Sequence, residues 1–366
     1  MNIYDLWFAS VRMSNKIKIN IINRFSNIQE IYEKNIYDNN YIYSVKKNDK
    51  IYMELKKAWN TEKLQNLMEY CLKEGIKTVN FYEEDYPERL KNYDDSPPVL
   101  FYKGNIKNLN NNLNVALVGA RDCSFYGENI TSLISKEVSI NNINVISGMA
   151  RGIDSCAHRA SIESGGYTCG VLGSGVDVIY PSKNKKLYED ILQKGCVLSE
   201  FIPKTRPYAY NFPLRNRIIS GLSDVIIIVE AGDKSGALIT AGCALEQGKD
   251  VMAVPGSVFS SKSRGTNKLI RDGAHVFTCL QDLFQLLSLS YMNKNYKKED
   301  ILNDKEEKIL KIIGQIPRNI DEICRITNID IKQLYELLFE LQLKNKIICL
   351  SGNYYVKIES SKSIMD

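Results

Sequence analysis

Apolar positions divide this chain into three textures. Through roughly the first 75 residues they recur at spacings of three and four, as in IYMELKKAWN (51–60) and LQNLMEYCLKEG (64–75), among many Asn, Lys and Tyr residues. That period predicts amphipathic helices. YPERL (86–90) and DDSPPVLFYKGN (94–105) follow, and Pro97-Pro98 forces extended chain ahead of a short strand. NLNNNLN (108–114) reads as a polar connector.

From residue 115 short apolar runs replace the helical period: VALV (115–118), NVIS (144–147), TCGVL (168–172), CVLS (196–199), VIIIV (225–229) and VMAV (251–254). Between them lie helical stretches such as ENITSLISKEV (128–138) and IDSCAHRASIE (153–163). Continuous apolar strands alternating with helices predict a doubly wound α/β domain, its parallel sheet covered on both faces. After a second polar stretch, YMNKNYKKED (291–300), the texture changes again. EEKILKIIGQI, DEICRITNI and IKQLYELLFELQ predict three short helices, and IICL, a turn at Gly352 and YYVKI predict a hairpin, a winged-helix-like set. The expected organisation is a helical N-terminal domain (1–80), an α/β core (81–290), a linker (291–302) and a winged-helix-like domain (303–366).

Composition narrows the function classes. The chain has 366 residues, 44% hydrophobic and 25% charged, and no apolar run near the length of a membrane helix. MNIYDLWFAS has no basic region followed by an apolar stretch, so a cytoplasmic protein is expected. Nine cysteines are scattered, the nearest pair thirteen positions apart, which suits neither a disulfide scaffold nor a zinc site. With two histidines, metal catalysis is not expected, nor is an organic cofactor. A net charge of +5 is compatible with a polyanion partner without requiring one, so the placement of the charges must decide.

The charges gather where an open parallel sheet binds its ligands, at the carboxyl ends of the strands. There the sequence reads GARDCSFYG (119–127), SGMARGID (147–154), GSGVDVIYP (173–181) and EAGDKSGALIT (230–240). Each carries glycine, which lets a backbone approach an anion closely, and helix N-termini add positive partial charge. Arg121, Arg151, Lys183 and Lys234 sit in or just past these turns, and YNFPLRNRIISG (210–221) adds Phe212, Arg215, Asn216 and Arg217. The pattern describes a phosphate crevice, although it is neither GxGxxG nor a P-loop.

The ordered motifs resemble those of the DNA-processing protein A (DprA, or Smf) family. The resemblance is carried by VALVGARDCSFYG, VISGMARGIDSCAH, VLGSGVDVIYP, LSEF, NFPLRNRIISGLSD, KSGALITAGCALEQGKDVMAVPG and GTNKLIRDGA, dense over about 85–280, with YPERL and SPPVLFYKGN upstream. It implies a Rossmann-like core that binds single-stranded DNA, protects incoming DNA and helps load the RecA recombinase in natural transformation and recombination, pairs with a second copy of itself and catalyses no reaction. It also implies that the FPxRNR segment borders the basic pocket. The resulting DNA-contacting set is Arg121, Ser147, Gly148, Arg151, Lys183, Phe212, Arg215, Asn216, Arg217, Lys234, Ser235 and Gly236. Arg215 and Arg217 are expected to be exposed guanidinium forks for phosphate, Phe212 either a platform for a base or a buried aromatic ahead of a helix, and Asn216 a helix N-terminal or backbone-bridging residue. The chain departs from the family pattern at Ala120, Ala160 and Ser161, where Ser, Gly and Ala are usual.

Two other readings compete. SGMARG and KSGALIT also resemble, more distantly, the phosphate loops of lysine-decarboxylase-like nucleotide phosphoribohydrolases, which need a PGGxGTxxE loop. With Thr240 in the Thr place, the catalytic Glu place is Cys243, so the carboxylate such hydrolysis needs is missing. A sequence-reading winged-helix regulator would want a basic or amide-rich recognition helix, whereas IKQLYELLFELQ sets Lys332 against Glu336 and Glu340. His158 is expected to be a packed, hydrogen-bonded histidine, Asp154 a helix cap, and His275 an edge-strand residue.

Overall fold

A computed structural model describes residues 1–34, 50–290, 304–314, 316–343, 346–350 and 352–358. Two compact units result, Met1–Tyr291 and Met292–Asp366. The expected linker, 291–302, lies outside the described residues.

The first unit is built on nine strands: β1 (Lys77–Asn80), β2 (Val99–Gly104), β3 (Asn114–Val118), β4 (Asn144–Ser147), β5 (Thr168–Val171), β6 (Cys196–Ser199), β7 (Val225–Ile228), β8 (Asp250–Ala253) and β9 (His275–Val276). Their order across the sheet is β1-β2-β6-β5-β4-β3-β7-β8-β9. From β6 to β9 all pairs are parallel, whereas β1 and β2 join antiparallel at one edge. The chain winds outward from β3 to β6, then crosses back to β7 on the other side of β3. The switch in direction therefore opens a crevice over the carboxyl ends of β3 and β7, where such sheets take ligands.

The continuous apolar runs follow from burial on both faces. Ala116, Val118, Ile226 and Ile228 pack with Ile218, Ile219 and Leu222 of helix Asn211–Leu222 and with Ala237, Ala241 and Ala244 of helix Gly236–Glu246. Val115, Leu117, Val225 and Ile227 pack on the opposite face with Ile134 and Val138 of helix Phe125–Ile140 and with Ile153 and Ala157 of helix Ile153–Glu163. One alternating register thus supplies two cores.

The N-terminal helices share a core with this sheet. Leu6, Trp7, Phe8, Ile22, Ile31, Leu55 and Leu64 pack with Val99 and Phe101 of β2 and with Val176, and Trp7 Nε1 donates to the Leu55 carbonyl at 2.9 Å. The boundary expected at residue 80 falls between β1 and its hairpin partner β2, inside the compact unit.

The second unit holds helices Asp304–Ile312, Ile320–Thr327 and Ile331–Leu343 around Ile309, Ile313, Ile323, Leu334, Leu338 and Leu341. The expected hairpin is β11 (Ile347–Leu350) with β12 (Tyr354–Lys357). A short strand before the second helix, β10 (Arg318–Asn319), completes a three-stranded sheet in the order β10-β12-β11.

Candidate nucleic-acid interface

Above β3 and β7 lies an open cleft of about 690 Å³. Its walls come from the turn after β3 (Gly119, Ala120, Arg121), the turn after β7 (Gly232, Lys234, Ser235, Gly236) and the start of helix Asn211–Leu222 (Phe212, Pro213, Arg215, Asn216), with Tyr180 and Pro207 closing one side. A smaller extension of about 230 Å³ runs past Arg151, Ser182 and Lys183, sharing Arg121, Tyr180, Phe212 and Arg215 with the main cleft. Arg121, Arg151, Lys183 and Lys234 are all exposed along this path. Four of the expected cations therefore meet around one concave surface.

Phe212 stands at the junction, half-buried. Its ring lies 5.6 Å from the Tyr180 ring, with the guanidinium carbons of Arg121 and Arg215 at 5.6 and 5.8 Å from its centroid. Gly173 makes room for it, since a Cβ there would come within 2.9 Å of the ring. The ring is partly packed and partly presented to the cleft.

Arg215 differs from the exposed fork expected of it. It is only 5% exposed, and its Nη1 donates to the Gly148 carbonyl at 2.6 Å and to the Val171 carbonyl, while Nε donates to Asn216 Oδ1 at 3.2 Å. Asp154, buried, accepts from the Gly148 and Ala150 N–H groups at 3.2 and 3.3 Å. Arg215 Nη2 and Asp154 Oδ2 lie 2.7 and 2.8 Å from the point where a Cβ on Gly148 would sit, so glycine at 148 accommodates this internal charge pair. Burial lowers the Arg215 guanidinium to about 10, against the pull of Asp154; burial raises the Asp154 carboxyl, against the pull of Arg215. Arg215 thus forms the charged floor of the cleft. Asp154 does not cap its own helix, whose cap position is Gly152. It ties down the preceding turn instead.

Arg217 is not brought to the cleft. Two residues along the helix from Arg215, it points away, with Nη2 2.5 Å from Glu200 Oε2 and Nη1 donating to the Asp95 carbonyl at 2.7 Å. Asn15 of the N-terminal helices donates to the same Glu200 oxygen at 2.7 Å. Residues at i and i+2 of a helix face different directions, which separates the two arginines. Ser147 is also withdrawn: fully buried at the end of β4, it donates to the Leu117 carbonyl at 2.6 Å. Asn216 bridges backbone as expected, its Nδ2 donating to the Gly236 carbonyl at 3.3 Å.

The glycine-rich strand ends serve packing more than expected. A Cβ on Gly119 would meet the Ile153 side chain at 2.6 Å, and one on Gly152 (φ +74°) would collide with the Ala120 carbonyl. Two anion-favouring positions are already taken by the protein's own carboxylates. Glu230 accepts from Ser124 N at 2.8 Å, at the start of helix Phe125–Ile140, and Asp154 holds the turn after β4. Helix Gly236–Glu246 is the open one: Gly236 has no atom near a would-be Cβ, and Ser235 caps the helix by accepting from Ala237 N. Lys234, Ser235 and Gly236 therefore offer a cation, a hydroxyl and a helix N-terminus at one wall.

Sequence reasoning missed Tyr180 and Ala150, whose positions reveal nothing until the turns are folded together. His158 is fully buried as expected, with Nδ1 2.6 Å from Thr168 Oγ1, and burial lowers it to about 3. Because Thr168 Oγ1 donates to the Val145 carbonyl at 2.8 Å, His158 Nδ1 is the donor, leaving buried Nε2 unprotonated and without a partner among the described residues. His275, exposed on edge strand β9, stands 3.4 Å from Asp250. No helix among the described residues is long and apolar enough to cross a membrane.

The sequence and the fold have counterparts among known proteins. Residues 77–288 match the family model described as DNA recombination-mediator protein A, and residues 295–353 match the DprA winged helix domain. The DNA processing protein DprA of Bacillus subtilis is 40% identical over 225 residues, covering 62% of this chain and 76% of that protein. Protein Smf of Escherichia coli is 34% identical over 280 residues, covering 74% and 75%. The X-ray structure of DprA from Streptococcus pneumoniae superposes with a TM-score of 0.66 at 32% identity, over 80% of this chain and 99% of that one. DNA processing protein A from Helicobacter pylori, whose structure concerns a single-stranded DNA binding mode, superposes at 0.54 with 30% identity, over 58% and 95%. A family model covering more than half the chain, two similar folds and a cleft built from the ordered motifs agree: the chain belongs to the DNA recombination-mediator protein A (DprA/Smf) family.

Proposed function

We propose that the cleft binds single-stranded DNA through its phosphates, without sequence preference, as a recombination mediator rather than an enzyme. The observation that carries this is the convergence of exposed Arg121, Arg151, Lys183 and Lys234 on one concave path around the half-buried ring of Phe212. A charged groove with an aromatic platform is the combination that takes a flexible strand, since phosphates supply affinity and every base has a face to stack. A rigid duplex keeps its bases stacked inward and cannot offer one to Phe212. Of the two carboxylates lining the main cleft, Asp154 is held by backbone N–H groups, whereas Asp122 is exposed, with a surface ion pair to Lys262 at 3.1 Å.

Each phosphate neutralised on a single strand contributes roughly −0.7 to the slope of log affinity against log salt. Four contacts from the exposed cations give a slope of about −3. Fluorescence anisotropy with single- and double-stranded oligonucleotides over a salt series tests the reading. A salt-independent affinity, equal affinity for both forms, or turnover of a nucleoside monophosphate by the same preparation would defeat it.

In this reading the protein acts as a dimer that delivers RecA to the strand it holds. Linking two clefts that each span a few nucleotides multiplies their effective concentration. Faster RecA filament assembly on coated single strands, measured with and without this protein, tests the loading role. Tight binding by a strictly monomeric protein would remove the dimer.

A further inference from the structure

We propose that Tyr208 and Tyr210 form a second base-stacking platform beside the cleft, one that rests on the single-strand reading above and extends it. Their rings are parallel within 4°, with centroids 5.5 Å apart, and they are 47% and 66% exposed. The intervening chain alternates: Pro207 and Ala209 line the cleft, and Tyr208 and Tyr210 flank them. Adjacent Cα atoms are about 3.8 Å apart, so each tyrosine is rooted one peptide from the cleft wall. Exposed Arg206 adds a cation at the same edge.

The segment carrying the pair is fixed at both ends. On one side helix Asn211–Leu222 begins, and Asn211 N donates to the Tyr208 carbonyl at 3.0 Å. On the other, both Asp177 oxygens accept from Lys204 N, at 2.9 and 3.0 Å, and Asp177 Oδ2 also accepts from Tyr70 Oη at 2.9 Å. Lys204 adopts φ +69° there, its ammonium 3.7 Å from the centre of the Tyr70 ring, and Gly175 N donates to the Thr205 carbonyl at 2.9 Å. An exposed aromatic pair held this way presents a flat face without the ordering cost of a free loop. A strand whose phosphates follow the cleft would carry its next bases past this face, and stacking on it needs no hydrogen-bond readout.

The experiment compares two probes, a thymidine oligonucleotide and the same backbone with abasic positions, on the full chain and its variants. Tyr208→Ala and Tyr210→Ala are expected to weaken binding of the thymidine probe roughly 5- to 150-fold, the span of one lost base stack. Both should bind the abasic probe like wild type, with an unchanged salt slope, and Tyr210→Phe should bind both probes like wild type. Arg121→Ala, which removes a phosphate contact, should weaken both probes alike. If both tyrosine variants hold the thymidine probe normally while Arg121→Ala loses both, the platform is refuted and the cleft stands. If wild type binds neither probe, the cleft reading fails and the platform fails with it.

Discussion

Replacing Arg215 by alanine should damage stability first and DNA binding second, the reverse of what its place in an FPxRNR motif suggests. The side chain is 5% exposed and makes charge-assisted bonds to the Gly148 and Val171 carbonyls, joining the turns after β4 and β5. Its removal also takes from buried Asp154 the larger of its two positive neighbours, leaving Arg121, and uncovering a buried charge costs up to about 3–5 kcal/mol. That is a large share of the roughly 5–15 kcal/mol that holds a domain folded. Urea unfolding followed by tryptophan fluorescence isolates the relevant unit, because the two tryptophans, Trp7 and Trp59, both lie in Met1–Tyr291. The deficit should shrink in acid. Burial already raises the Asp154 carboxyl in the folded state, and loss of Arg215 raises it further, so the folded variant holds a proton more tightly than its unfolded chain. The deficit is full above the variant's folded pKa and falls by about 1.4 kcal/mol for each pH unit down to the wild type's own raised value, below which both proteins take up the proton and gain alike. Asp154→Asn in the same background should restore part of the loss, giving a coupling of at least about 1 kcal/mol. A variant within about 0.5 kcal/mol of wild type, or strictly additive effects of the two substitutions, would refute the buried pair.

Arg217→Ala should lower stability by on the order of 3 kcal/mol, because it takes the guanidinium from the largely buried Glu200 and leaves the Asn15 amide on Oε2, while the folded variant binds single-stranded DNA like wild type. Weakened binding at unchanged stability would put Arg217 back in the cleft. His158, lowered to about 3 from an unfolded value near 6.5, makes the folded state resist protonation, so its contribution to stability is lost as pH falls below about 6.5. Between about pH 7 and about pH 5 wild type should lose about 2 kcal/mol more than His158→Gln in parallel urea titrations, and equal losses would contradict the assignment.

Much of the fold is legible in the sequence because apolar texture reports burial directly. VALV and VIIIV are apolar at every position since consecutive side chains enter two cores, one under helix Asn211–Leu222 and the other under helix Phe125–Ile140. The cluster of cations at the strand ends is legible too, because a parallel sheet places all its strand-to-helix turns on one edge. Arg121, Arg151, Lys183 and Lys234 needed only that rule to converge. What sequence cannot supply is the direction of a side chain within a motif. Arg215 and Arg217 look equivalent around Asn216, yet two residues of helical rotation send one under the cleft and the other to Glu200, near the N-terminal helices. Nor does it tell an anion-binding glycine from one that clears space: Gly148 and Gly173 receive Arg215 and Phe212, while Gly236 faces open space. Those outcomes depend on groups distant in the chain meeting in three dimensions. A carboxylate that fills a helix N-terminus or a turn, as Glu230 and Asp154 do, removes a site that the local sequence still advertises.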